Sequence, residues 1–160
     1  SALAPHCGAL TRHRQMAKWT DMAQRKEVAE TRDATIRVVL DASAVLALLN
    51  REPGGERVEN YLGEGVISAV NAAEVLSKLV DAGLTPGEAK ESLALLGLRI
   101  LGFELRDAEA VAALRTRAKS KGLSLGDRAC LAPGLRLDVV IVTAERSWAG
   151  LKIGQIDTLR

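Results

Sequence analysis

Ile36-Arg37-Val38-Val39-Leu40-Asp41-Ala42-Ser43-Ala44 is the stretch that decides the fold. A short apolar, β-branched run reads as a buried strand. It ends on an acid and passes at once into small residues suited to a helix. Asp is poorly suited to strands, so Asp41 is placed where an open α/β sheet keeps its chemistry, at the carboxyl end of a strand. The same alternation continues outward. Apolar runs at Arg37–Asp41, Val66–Ser68, Arg99–Phe103, Val139–Thr143 and Lys152–Ile156 read as strands. The spacing predicts helices between them: one capped by Ser43 through Leu49, one over Gly54–Leu62, and one capped by Asn71 to about Ala82 that stops at Gly83. Further helices run from Thr85-Pro86 through Leu96, from Asp107 to about Lys121, and from Ser124 onward with Asp127 in its first turn. Strands alternating with helices define an α/β fold: a central parallel sheet of four to five strands flanked by helices in three layers.

The bulk properties bound the function. The chain has 160 residues with 48% hydrophobic composition, enough for one domain with a real core and an appendage. A formal charge of +2 permits a polyanionic partner without requiring one. Aromatic residues make up 2%, which argues against recognition by base stacking and leaves phosphate contacts as the route to nucleic acid. Cys7 and Cys130 belong to no spaced cluster with histidine, so a zinc site is not expected and a reducing cytoplasm is. Apolar runs such as Ala44–Leu49 fall far short of the roughly 20 residues that span a bilayer. No membrane association is expected. Residues 1–35 differ in character, being polar and rich in Arg with Met16, Trp19, Met22 and Val28 as scattered apolar points. They read as an extension, a tag or docking arm, ahead of a domain over 36–160.

Four carboxylates fall at junctions between elements: Asp41, Glu74, Asp127 and Glu145. In a parallel sheet such junctions gather at one edge, and a group of acids there repels itself unless a hard cation such as Mg²⁺ or Mn²⁺ shares the pocket. Such a cation can activate water against a phosphodiester. Plain structural readings stand beside this one. Asn71-x-x-Glu74 and Ser124-x-x-Asp127 both have the form of capping boxes, Glu74 has Lys78 at i+4, and Glu145 sits in a turn. Ser43 and Thr143 can orient a carboxylate or can simply cap and turn the chain. Arg128, Arg146 and Lys78 can meet phosphates or face solvent. Both histidines, His6 and His13, lie in the extension, so any catalysis runs on carboxylates.

Taken together, Val38-Val39-Leu40-Asp41-Ala42-Ser43-Ala44, Ile67-Ser68-Ala69-Val70-Asn71-Ala72-Ala73-Glu74-Val75, Leu123-Ser124-Leu125-Gly126-Asp127-Arg128-Ala129-Cys130 and Val142-Thr143-Ala144-Glu145-Arg146-Ser147-Trp148 resemble a PIN-domain ribonuclease. The likeness is to the VapC-type toxins of bacterial toxin–antitoxin pairs, and it covers about residues 36–160. It implies a PIN-like fold and a Mg²⁺- or Mn²⁺-dependent endoribonuclease silenced by a cognate antitoxin, as a homodimer or in a toxin–antitoxin hetero-oligomer. By that resemblance Asp41 and Asp127 are direct metal ligands, and Glu74 acts through water or activates it. Ser43 and Asn71 are the accompanying polar positions. Three departures stand out. Glu145 replaces the usual aspartate, Pro133 falls where it should end or kink the Asp127 helix, and the extension is additional. Its Arg12–Arg32 stretch, with Arg14, Trp19, Met22, Arg25 and Lys26, has the character of an antitoxin-like arm that reaches arginines toward acids. Two other classes compete: a PIN-like domain that binds RNA or a partner without cutting, and a receiver-type signalling domain. The receiver class needs paired acids after its first strand, where Asp41 stands alone, and a phosphoacceptor after its third, where this chain runs into Phe103-Glu104.

Overall fold

The computed structural model describes residues 36–117 and 122–160. The expectations for residues 1–35, including the antitoxin-like arm, lie outside the described residues. So does the predicted end of the Asp107 helix near Lys121.

Strand β1 (Val38–Leu40) is wholly buried. It lies between β2 (Gly65–Ser68) and β4 (Val140–Thr143), with β3 (Arg99–Leu101) and β5 (Gln155–Thr158) at the edges. The order is β3-β2-β1-β4-β5 and every pairing is parallel. A strand covered on both faces carries no polar alternation, which is why β1 reads as an unbroken apolar run. Successive residues still point to opposite sides. Val38, Leu40, Ile67 and Val142 pack on one face, against Ala44 and Val45 of α1 (Ala42–Leu49), Val75 and Leu79 of α2 (Ala69–Asp81), and Ala89 and Leu93 of α3 (Pro86–Leu95). Val39, Val66 and Ile141 pack on the other, against Val111 and Leu114 of α4 (Leu105–Arg117), Ala129 and Leu131 of α5 (Leu125–Leu137), and the buried Trp148. This is the expected three-layer α/β fold, with five strands. The strand order differs from the 2-1-3-4-5 order of receiver-type domains, which removes that reading.

Several boundaries move for local reasons. Asp41 is itself the N-cap of α1, accepting a hydrogen bond from the Ser43 backbone N–H, so the cap lies two residues before Ser43. Helix α2 starts directly after β2 with Ser68 as its cap, because the Ser68 hydroxyl accepts from Asn71 N at 3.1 Å. Asn71 is thereby carried into the first turn, and the Asn71–Glu74 capping box does not form. Helix α4 opens two residues before Asp107, whose carboxylate reaches back to the Glu104 N–H at 2.9 Å. Gly54 precedes a 3-10 turn over Gly55–Tyr61 in place of the expected helix. The last strand begins later than predicted, because Gly150 and Gly154 turn the chain with positive φ before Gln155 pairs with Val140.

Helix α5 runs four residues beyond Pro133, so of the two expected outcomes, an end or a kink, the helix does not end there. The ring forfeits one intrahelical hydrogen bond, but Ala129 through Gly134 are all buried, and tertiary packing outweighs the local penalty. Contact with the sheet is closest at Gly134, where a Cβ would stand 2.3 Å from Ile141 Cγ1. Among the described residues, no helix is long and apolar enough to cross a membrane.

The Gly134 contact sets a test. Alanine is the better helix former by about 1 kcal/mol, yet overpacking against β4 costs about 1–3 kcal/mol. Gly134→Ala is expected to lower the urea unfolding free energy by about 1–2 kcal/mol. An unchanged or raised midpoint contradicts this account of how α5 seats on the sheet.

Candidate active site

The strand order puts the carboxyl ends of β1, β2 and β4 side by side, and three short-range accidents of sequence meet there. β1 ends into Asp41, β2 ends on Ser68 and runs straight into the turn holding Asn71, and β4 ends on Thr143. The Asp41 carboxylate is 3% exposed. Its Oδ2 accepts from Ser43 Oγ at 2.5 Å, from Thr143 Oγ1 at 3.0 Å and from Ser43 N at 3.3 Å, while Oδ1 accepts from Asn71 Nδ2 at 3.2 Å. Each hydroxyl has one hydrogen, and both are spent on Asp41. The Ser43–Thr143 oxygen contact at 3.1 Å is therefore a close approach without a third donor. Ala144 N and Glu145 N in turn donate to Ser43 Oγ and Thr143 Oγ1 at 2.9 and 3.0 Å, locking both hydroxyls.

Every one of these donors is neutral, and none of the four acids has an ion-pair partner among the described residues. Burial therefore dominates and pushes the Asp41 pKa up to about 6. The Ser43 and Thr143 hydrogen bonds oppose it, and the charge of Asp127 adds to it. Cys130, buried beneath, has its thiol pKa pushed well up by burial and then by the charges of Asp41 and Asp127. It is a packed neutral group.

Asp127 is half-buried and makes the predicted capping box: its Oδ2 accepts from Ser124 N at 2.6 Å while its own N–H donates to Ser124 Oγ at 3.1 Å. The capping reading is correct here, and it does not compete with a role in the pocket, since Oδ1 accepts no hydrogen bond from any described residue. Glu74 is exposed on α2 and makes no ion pair with Lys78. Its carboxylate lies over α5 at the point where a Gly126 side chain would stand, 2.8 Å from the ideal Cβ position. The Asn71 amide links these parts, donating to Gly126 O at 3.3 Å as well as to Asp41. Glu145 is exposed, and among the described residues only its backbone N–H joins the network.

The predicted basic residues divide. Arg146 and Lys78 are exposed. Arg128 is not available to a phosphate: it is 8% exposed, its Nη1 donates to Val111 O at 3.0 Å and its Nε to Ser124 O at 3.1 Å, tying α4 to α5. A long cation at the fourth position of a helix otherwise packed with small buried residues lies on the inner face, which the local spacing did not reveal. Ser68 and Gly126 were missed as well. The signal for Gly126 was a glycine inside a helix, where one costs about 1 kcal/mol and calls for a packing reason.

A divalent cation suits the donor chemistry of this pocket. The acids supply only oxygen ligands, and a buried carboxylate held by neutral donors beside a second acid lacks a counter-charge among the described residues. As the side chains stand, no three acid, His or Cys groups among the described residues are spaced as a metal site.

A parallel sheet in this order with acids at its carboxyl edge defines a class of α/β domain, and the comparisons give it a family. Residues 38–152 match the PIN domain model, and the chain belongs to the PIN-domain family. No curated protein sequence matches it significantly. Among solved structures, a toxin–antitoxin complex from Klebsiella pneumoniae superposes with a TM-score of 0.62 at 19% identity, covering 77% of this chain and 98% of that one. DNA-bound VapBC from Salmonella typhimurium gives 0.61 at 17% identity, covering 78% and 99%. VapBC-1 from nontypeable Haemophilus influenzae gives 0.60 at 18% identity, covering 78% and 98%. At these identities the likeness establishes the fold.

The raised pKa of Asp41 carries a sign that can be measured. Between about pH 4 and pH 6 the folded state holds the Asp41 proton and the unfolded chain does not, so this group's contribution to stability falls as pH rises through that window. A rise from 3.8 to about 6 corresponds to about 3 kcal/mol. In chelator, the unfolding free energy of Asp41→Asn relative to the parent is expected to rise by about 3 kcal/mol between pH 4 and pH 7.5. A pH-independent difference refutes the assignment of an uncompensated buried acid.

Proposed function

We propose that this PIN domain is a metal-dependent endoribonuclease acting as the toxin of a toxin–antitoxin pair. One observation carries the reading: Asp41 is a buried carboxylate whose partners among the described residues are all neutral, with Asp127 close enough to oppose its ionisation. An anion so placed is costly in the free protein and is relieved by a bound cation. A bound Mg²⁺ or Mn²⁺ supplies Lewis acidity toward water and toward the charge that grows on a cleaved phosphodiester. Asp41 and Asp127 hold the cation in this reading. Glu74, on a longer and exposed side chain, contacts it through water or orients the attacking water. Glu145 is assigned an outer position.

Ser43, Thr143 and Asn71 keep the Asp41 oxygens in place, so that little reorganisation accompanies binding. In this reading exposed Arg146 and Lys78 meet the phosphates of an RNA strand, and Arg128, tied to the Val111 carbonyl, does not. The toxin assignment draws on the solved structures of the same fold described as toxin–antitoxin complexes. By analogy with them the partner is a cognate antitoxin, and the assembly a homodimer or toxin–antitoxin hetero-oligomer.

Asp41→Asn and Asp127→Asn are each expected to lower the rate of RNA cleavage in Mg²⁺ or Mn²⁺ by about 100-fold or more, with the far-UV circular dichroism unchanged. Asp127→Asn retains a capping side chain, so loss of activity there reports on the pocket and not on the helix. If the parent binds RNA without cutting it, a non-catalytic PIN-like binding domain takes this reading's place. If both variants cut like the parent, the acids are not the catalytic group.

A further inference from the structure

We infer that Ser68, outside the acid cluster, is a positioning residue that sets the orientation of the Asn71 amide and through it the placement of Asp41. The inference rests on the proposed cation site for its consequence, though not for its geometry. Asn71 is fully buried and Ser68 is 4% exposed, so neither can exchange its partners for water. The Asn71 backbone N–H donates to Ser68 Oγ at 3.1 Å, which satisfies the hydroxyl as an acceptor and leaves its single hydrogen to be given away. It goes to Asn71 Oδ1 at 2.5 Å. With the amide oxygen committed to Ser68, the amide nitrogen is turned toward Asp41 Oδ1 at 3.2 Å and Gly126 O at 3.3 Å.

Both ends of the amide demand the same orientation. Turned over, it would set its oxygen against two acceptors, the Asp41 carboxylate and the Gly126 carbonyl, in a buried site where each unpaired contact is expensive. The Gly126 bond gives the relay a second effect. Gly126 directly precedes Asp127 in the first turn of α5, so one amide holds both the Asp41 carboxylate and the backbone that carries Asp127. Ser68 thereby sets the spacing of two acids without touching either. Its other role, as N-cap of α2, uses the same oxygen as an acceptor and does not need the hydroxyl hydrogen. The two roles can be separated by substitution.

Three variants of the full chain make the separation. Ser68→Thr keeps acceptor and donor, while Ser68→Ala and Ser68→Gly both remove the hydroxyl, glycine being well tolerated at a helix N-cap without a side-chain acceptor, which protects the fold should the alanine variant fail. Two readouts apply: the ¹⁵N–¹H signals and solvent exchange of the Asn71 side-chain amide in metal-free protein, and the dissociation constant for Mn²⁺ alone. The expected result is a shifted Asn71 amide that exchanges about tenfold faster or more in Ser68→Ala and Ser68→Gly, with Mn²⁺ affinity about 10- to 100-fold weaker, both restored in Ser68→Thr. If Ser68→Gly leaves the Asn71 amide signals and their exchange as in the parent, Ser68 is a helix cap only and the inference is overturned. Should the parent take up no Mn²⁺, the cation site fails, and the amide readout by itself still decides the relay.

Discussion

The arrangement depends on a buried carboxylate that no cation among the described residues neutralises. Asp41 sits at the end of the central strand, almost fully removed from water, with four hydrogen bonds from neutral groups. The bonds from Ser43 and Thr143 lower its pKa, but burial, with the neighbouring Asp127 adding to it, outweighs them. Folding therefore places a group where it is least comfortable, and the elements around it are organised to hold it there. Residues held at a cost by their surroundings are typical of sites built for a ligand and not for stability.

The supporting elements divide the work by strand. β4 contributes Thr143 and, through the following backbone N–H groups, locks both hydroxyls against Asp41. β2 contributes Ser68 and, one turn into α2, Asn71, whose amide spans from Asp41 to the start of α5. α5 contributes Asp127 on a capped first turn, and Gly126, whose missing side chain leaves room for the Glu74 carboxylate. Capping and chemistry are thus combined in the same residues. Asp41, Ser68 and Asp127 each satisfy a helix N-terminus while facing or supporting the pocket. A helix start at the carboxyl edge of a parallel sheet needs a polar residue in any case, and that residue also lies where open α/β sheets bind their ligands.

Much of this was legible from the chain. The apolar run before Asp41, the Ser-x-x-Asp box at Ser124 and the apolar strand before Thr143 are local signals, and each was found in place. Asn71 was picked out for its position, but its role as a cap was misread, because the β2-to-α2 junction has no linker residues and the true cap is Ser68. Pro133 looked like a terminator or a kink because the penalty is local, while the burial that carries the helix past it comes from tertiary packing. Arg128 looked like a surface cation because its acceptor, the Val111 carbonyl, lies 17 residues away on another helix.

The sequence by itself determined the alternation of strands and helices, the acids and the capping residues, because these follow from side-chain periodicity and from hydrogen bonds spanning two to four residues. Only the tertiary structure decided which of those residues meet. The order β3-β2-β1-β4-β5 brings Asn71 and Thr143 to opposite sides of Asp41 from 30 and 102 residues away, and buries Arg128 while leaving Arg146 and Lys78 exposed. The physical reason is that burial is a property of the assembled layers. A carboxylate at a strand end becomes a buried charge only once the elements around it have closed over it and excluded water.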